Sequence, residues 1–110
     1  MPYSKFRELL KSCGVSRTEA EGGELALTKL DALKALEFLS DTDVAVLGGD
    51  VYELESNGYF RPTYDNWYCN RDSVSPLKFA NLSQKKAIQY LESYNEAGRS
   101  NIRYVLILDD

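Results

Sequence analysis

Asn57-Gly58 lies between two stretches of alternating apolar and polar residues, and no other pair restricts this chain as much. Gly, and less readily Asn, accepts a positive φ, so the pair marks the turn of a β-hairpin. A two-residue loop would set Leu54 against Arg61 and Glu55 against Phe60, apolar against charged. The three-residue loop Ser56-Asn57-Gly58 instead pairs Leu54 with Phe60, Glu53 with Arg61, Tyr52 with Pro62 and Val51 with Thr63. That register sorts the two faces, and a one-residue slip would scramble them. The expected turn is type I, with Gly58 in the left-handed region as a bulge. Carried one pair further, the register sets Asp50 against Tyr64 and gathers Asp50, Asp65 and Trp67 at the open end of the hairpin.

At 110 residues the chain is read as one domain, 1–110, long enough to bury a core without staples. No apolar run approaches the roughly 20 residues of a membrane helix. The opening residues MPYSKFRELLKSCG carry no apolar signal core, so the cytoplasm is the expected compartment. A net charge of −4 argues against a nucleic-acid binder that works by neutralising phosphates. It suits a partner with a basic surface, or it serves solubility alone. Two cysteines without a CxxC, Cys13 and Cys69, read as reduced and structural. The absence of His removes the commonest general base and metal ligand, and with it every Ser-His or Cys-His triad. No cofactor and no metal is expected.

Taken in order, Phe6, Leu9, Leu10 and Cys13 form one helical face over about Lys5–Ser12, with Ser4 as cap and Gly14 as stop. Ser16–Gly23 reads as a loop and Glu24–Leu27 as a short strand. Thr28-Lys29-Leu30-Asp31 resembles a capping box, opening a helix to about Ser40. Its polar stripe is narrow (Lys34, Glu37, Asp41), so it is either a buried packing helix or, in part, an oligomer contact. Val44–Leu47 reads as a strand covered on both faces, broken or bent at Gly48-Gly49 before the hairpin. After Cys69 a loop is expected, with Pro76 as a breaker and Leu77, Phe79 and Leu82 pinning it to the body. Ser83 is read as the cap of a last helix over about Gln84–Ala97, with Ala87, Ile88, Leu91 and Tyr94 inward and Gly98 as stop. Ile102–Leu108 is apolar enough for a central strand. The fold class is α+β: a mixed, mostly antiparallel sheet with a central β-hairpin, packed against about three helices.

Three features carry candidate chemistry. Gly48-Gly49-Asp50 either opens room for a ligand or is a bulge; it has neither the spacing nor the Lys of a phosphate loop. Asp50 and Asp65 would be the carboxylates of a small acid–base enzyme or a hard-cation site, were they to share a cleft. Asp65, Asn66, Trp67 and Tyr68 combine rings that anchor interfaces with an acid that pairs with Arg or Lys. The competing reading keeps Trp67 in the core, with Asp65 and Asn66 bonded to a turn. Asp50, Asp65, Asn66, Trp67 and Tyr68 are therefore the candidate recognition edge, with no catalytic residue assigned.

Leu-Gly-Gly-Asp-Val-Tyr at 47–52 and Tyr-Asp-Asn-Trp-Tyr-Cys at 64–69 resemble the immunity protein 40 family of bacterial polymorphic toxin systems. The Asp-Ala-Leu-Lys-Ala-Leu helix before them and the closing helix and apolar strand fit the same pattern, over roughly residues 24–108. The resemblance implies a non-enzymatic antidote in the cytoplasm of the producing cell. Its partner would be a cognate toxin domain, often a nuclease with a basic surface, with no nucleic acid and no membrane involved. A homo-oligomer built on the apolar helix is the less favoured assembly. The N-terminal helix and the loop after Cys69 lie outside the resemblance.

Overall fold

A computed structural model describes residues 26–40, 42–70 and 74–109. The helix expected over Lys5–Ser12, Cys13 and the Ser16–Gly23 loop lie outside the described residues. The elements are β1 (Ala26–Leu27), α1 (Lys29–Leu39), β2 (Ala45–Leu54), β3 (Phe60–Tyr68), α2 (Pro76–Ser93) and β4 (Ile102–Asp109). The strands form one sheet in the order β1-β4-β2-β3. Among the described residues every pairing is antiparallel, so the sheet, expected to be mixed and mostly antiparallel, is antiparallel throughout there. Each helix links two strands that run parallel with a third between them, so two split β-α-β units interleave.

The turn forms as its residues dictate. Leu54 pairs with Phe60, Glu53 with Arg61 and Tyr52 with Pro62. Gly58 takes φ +86° and donates to the Glu55 carbonyl, closing the turn, while Glu55 N–H bonds Tyr59. Across the strands Arg61 bonds Glu53 and Glu55, both at 2.8 Å.

The core lies between the sheet and the two helices, which pack on the same face. Thr28 caps α1 by accepting from Asp31 N–H. The helix buries Ala32, Ala35, Leu36 and Leu39 against Val46, Val51, Trp67, Leu91, Ile102 and Tyr104. Its apolar surface is wider than that contact, and Leu30 stays 69% exposed. Leu27 and Tyr104 pair across β1 and β4 and face this core; their neighbours Ala26 and Val105 also pair, and join Phe60, Tyr52 and Leu54 on the opposite face. That alternation is the period-two signature of a strand.

Three expectations need correction. First, β2 runs unbroken from Ala45 to Leu54, so the strand read at Val44–Leu47 is the start of the first hairpin strand. Second, α2 begins at Pro76, not after Ser83. Ser75 caps it by accepting from Lys78 N–H, and Pro76 sits where a missing N–H costs nothing. Phe79 is buried, but Leu77 and Leu82 face solvent. The helix ends at Ser93, short of Gly98. Third, Asp50 opposes Asn66, not Tyr64, because β3 carries extra residues between Pro62 and Asn66.

Ser83 does different work inside the helix. Its hydroxyl accepts from Val46 N–H at 2.9 Å and donates to the Ala80 carbonyl. Gln84 next to it donates to the Val44 carbonyl. These two side chains satisfy β2 where β3 has already ended. Ser83→Ala is expected to leave the buried Val46 N–H without a partner, costing about 1–3 kcal/mol. Urea denaturation measures the loss, and faster exchange of the Val46 amide assigns it.

Candidate functional site

The recognition stretch sits on β3, which among the described residues forms one edge of the sheet. Between Asp50 and Tyr52 the β2–β3 register shifts, and Thr63, Tyr64 and Asp65 together oppose Val51. Tyr64 adopts φ 69°, uncommon for a residue with a side chain. Local bonds hold it there. Thr63 Oγ1 donates to the Val51 carbonyl at 2.8 Å and accepts from Asp65 N–H, and Asn66 Nδ2 donates to the Tyr64 carbonyl. The bulge displaces the expected register by two residues, so it preserves which face each side chain takes.

Alternation therefore divides the five candidate residues between two faces. Trp67 faces the helices, stacked on Tyr90 with ring centroids 4.5 Å apart, and only 7% of it is exposed. Its outer ring lies against Gly49, where an added Cβ would stand 2.3 Å from Cη2. The glycine pair thus does not break the strand; it makes room for the indole and, at Gly48, for the β3 backbone. Asp65 points the same way, accepting a 2.6 Å hydrogen bond from the Tyr94 hydroxyl just past α2. Asp50 and Asn66 face each other across the strands on the opposite side, with Tyr68 beside them. They edge a depression of about 390 Å³ also lined by Leu47, Gly48 and Ile107. Tyr68 is 65% exposed and Tyr64 84%.

The structure does not bring Asp50 and Asp65 together. The two carboxylates lie on opposite faces of the sheet and cannot act on one substrate or one cation. Among the described residues no group of three His, Cys, Asp or Glu side chains could hold a metal. Cys69 is a free thiol, half-buried beside Ala45, Phe79 and Ala80.

On the helix side the rings continue from Tyr90 to Tyr94 and from Tyr94 to Tyr104, with the Tyr104 hydroxyl bonded to Glu96 at 2.7 Å. All three phenols are held above their ordinary range. Burial is the main cause for each, reinforced by the Asp65 charge at Tyr90, the Asp65 hydrogen bond at Tyr94 and the Glu96 hydrogen bond at Tyr104. The native state thus keeps these protons at a pH where the unfolded chain, with phenols near 10, has begun to lose them. Stability is expected to hold up to about pH 10 and to fall as the pH climbs beyond it. Thermal melts across the alkaline range, paired with tyrosinate absorbance, measure this. Tyr104→Phe should flatten the slope, and a melting temperature indifferent to alkaline pH would contradict it.

The sequence reading missed Tyr64 and Ile107 as parts of this surface. Tyr64 had a signal, since Tyr64, Asn66 and Tyr68 alternate with Asp65 and Trp67. Ile107 had none, because its place beside Gly48 depends on a second register shift between β2 and β4.

The family model described as Immunity protein 40 matches residues 9–108. Comparison with curated proteins and with solved structures finds no match. The match spans both motifs and takes in the described helices and nearly all of the described strands, and it extends well before residue 24, so the chain belongs to the Immunity protein 40 family.

Proposed function

We propose that this protein is the antidote of a bacterial polymorphic toxin system, held in the cytoplasm of the producing cell. It neutralises a cognate toxin domain by stoichiometric binding and makes or breaks no bond. Family membership supports a toxin as the partner. The observation that carries the choice of surface is the display of Tyr64 and Tyr68, both largely exposed, on a strand whose Trp67 is fixed in the core. Large rings held by a rigid backbone lose little entropy on docking, which is why such residues anchor interfaces. Asp50 and Asn66 between them supply polar contacts, and an acidic chain meets a basic toxin surface at an advantage. Asp65 and Trp67 serve this surface from beneath, by fixing β3 to α2.

The test is calorimetric titration of the cognate toxin domain, with growth rescue as the second readout. Tyr64→Ala, Tyr68→Ala and Asp50→Lys are each expected to weaken binding by roughly tenfold or more, with the melting temperature unchanged. Full affinity in all three variants would move the interface elsewhere on the protein.

A further inference from the structure

We propose that the depression edged by Asp50, Asn66 and Tyr68 is a receptor for one arginine side chain of a protein partner. The proposal rests on the antidote reading only in taking that partner to be a protein. At about 390 Å³ the depression is at the small end of ligand sites and has room for one long side chain. Its floor is Gly48, which is buried and offers no side chain. Ile107 and the Tyr68 ring supply apolar walls. Asp50 and Asn66 stand directly across from each other at its polar end.

Arginine matches this order of groups. Its methylene stem lies along Ile107, and its planar head stacks on the Tyr68 ring. The guanidinium fork takes both oxygens of Asp50. Asn66 turns its Nδ2 to the Tyr64 carbonyl, which leaves Oδ1 to accept a further N–H. A lysine would reach Asp50 but has neither the plane nor the fork.

Among the described residues the charge at the site is unmatched. Asp50 is half-buried, and no hydrogen bond or ion pair joins its carboxylate to any described residue. Among the described residues no Lys or Arg lines the depression. Arg103, two residues along β4 from the strand position opposite Asp50, directs Nη1 to the Ser100 and Ile102 carbonyls instead. Asp65 is the counter-example, since its carboxylate already holds the Tyr94 hydroxyl. A partly desolvated, unpaired carboxylate gains most from a cation that brings its own hydrogen bonds. Pairing of a partner strand along β3 fits less well: Lys86 Nζ covers the Tyr68 carbonyl at 2.7 Å, and the Tyr64 bulge interrupts the edge.

The experiment is a chemical-shift titration of the isotope-labelled full chain with a blocked Gly-Arg-Gly peptide. The same peptide with citrulline, neutral but nearly the same shape, is the control. At millimolar concentration the arginine peptide is expected to shift the amides of Asp50, Asn66, Tyr68 and Ile107 saturably. The citrulline peptide should bind roughly tenfold more weakly or not at all, the difference one charge-assisted pair makes. Asp50→Asn, and separately Tyr68→Ala, should each abolish the shifts while the rest of the spectrum stays in place. Equal responses to both peptides, shifts confined to other regions, or none would overturn the receptor. If the cognate toxin domain still binds in that case, the antidote reading survives without it. If the arginine peptide binds as expected and the toxin domain does not, the receptor stands and the antidote reading falls.

Discussion

A single methyl group at Gly49 is expected to destabilise the protein by about 1–3 kcal/mol, the range for overpacking a filled interior. An ideal Cβ there stands 2.3 Å from Trp67 Cη2, 2.6 Å from Cζ3 and 2.6 Å from the Val105 carbonyl oxygen. None of the three can move away cheaply. The indole is stacked on Tyr90, and the carbonyl belongs to the central strand β4. Gly48→Ala should cost at least as much, because its Cβ would stand 2.3 Å from the Trp67 carbonyl oxygen and 2.9 Å from the Tyr68 Cα, both backbone. Urea midpoints should fall in both variants with the slope unchanged, as for a loss of stability alone. The double variant Gly49→Ala with Trp67→Phe separates the two clashes at Gly49. Removing the outer ring relieves the contacts with Cη2 and Cζ3 but not the one with the Val105 oxygen. The pair should therefore be non-additive, with partial recovery. Midpoints equal to that of the unaltered protein at both glycines would mean that β2 and β3 do not pack as described.

The residues that could be placed from sequence are those whose structure is decided locally. Asn57-Gly58 dictated its own turn, and the sorting of Glu53, Leu54, Phe60 and Arg61 dictated its register. Thr28 and Asp31 made the cap they spell, and the apolar run at 102–108 lies at the centre of the sheet. The bulge at 63–65 was not legible, because a shift of two residues leaves the pattern of alternation intact. Pro76 was misread for a related reason. Proline ends a helix from within but opens one at its first position, and only the neighbouring cap Ser75 tells the two apart. Ser83 looked like a cap because serine favours caps; its true partner, Val46 N–H, is distant in sequence. At the site, the grouping of Asp50 with Asp65 and Trp67 overlooked parity along the strands, which sets Asp50, Asn66 and Tyr68 on one face and Asp65 and Trp67 on the other. Which side of the sheet the helices cover was not legible, and that decides whether Trp67 is anchor or core.

Trp67→Ala is expected to be the most damaging single change, costing about 3–5 kcal/mol. The indole fills the space above Gly49 and begins the ring series through Tyr90, Tyr94 and Tyr104. Its removal leaves a cavity that a two-glycine strand has no side chains to fill. Trp67→Phe should cost clearly less. It keeps a ring on Tyr90, and it forfeits no hydrogen bond, since Nε1 has no partner among the described residues. The contrast with Tyr68→Ala is what separates scaffold from surface. Tyr68 is exposed and leaves the core untouched when truncated, so it should reduce toxin affinity at constant stability. Trp67→Phe should do the reverse, lowering the urea midpoint while the folded fraction binds with nearly full affinity. Were Trp67→Phe instead to abolish binding with its midpoint unchanged, the indole would be a contact residue. The partner would then have to approach from the helix side, and the opposite face bearing Asp50 and Tyr68 would lose its claim.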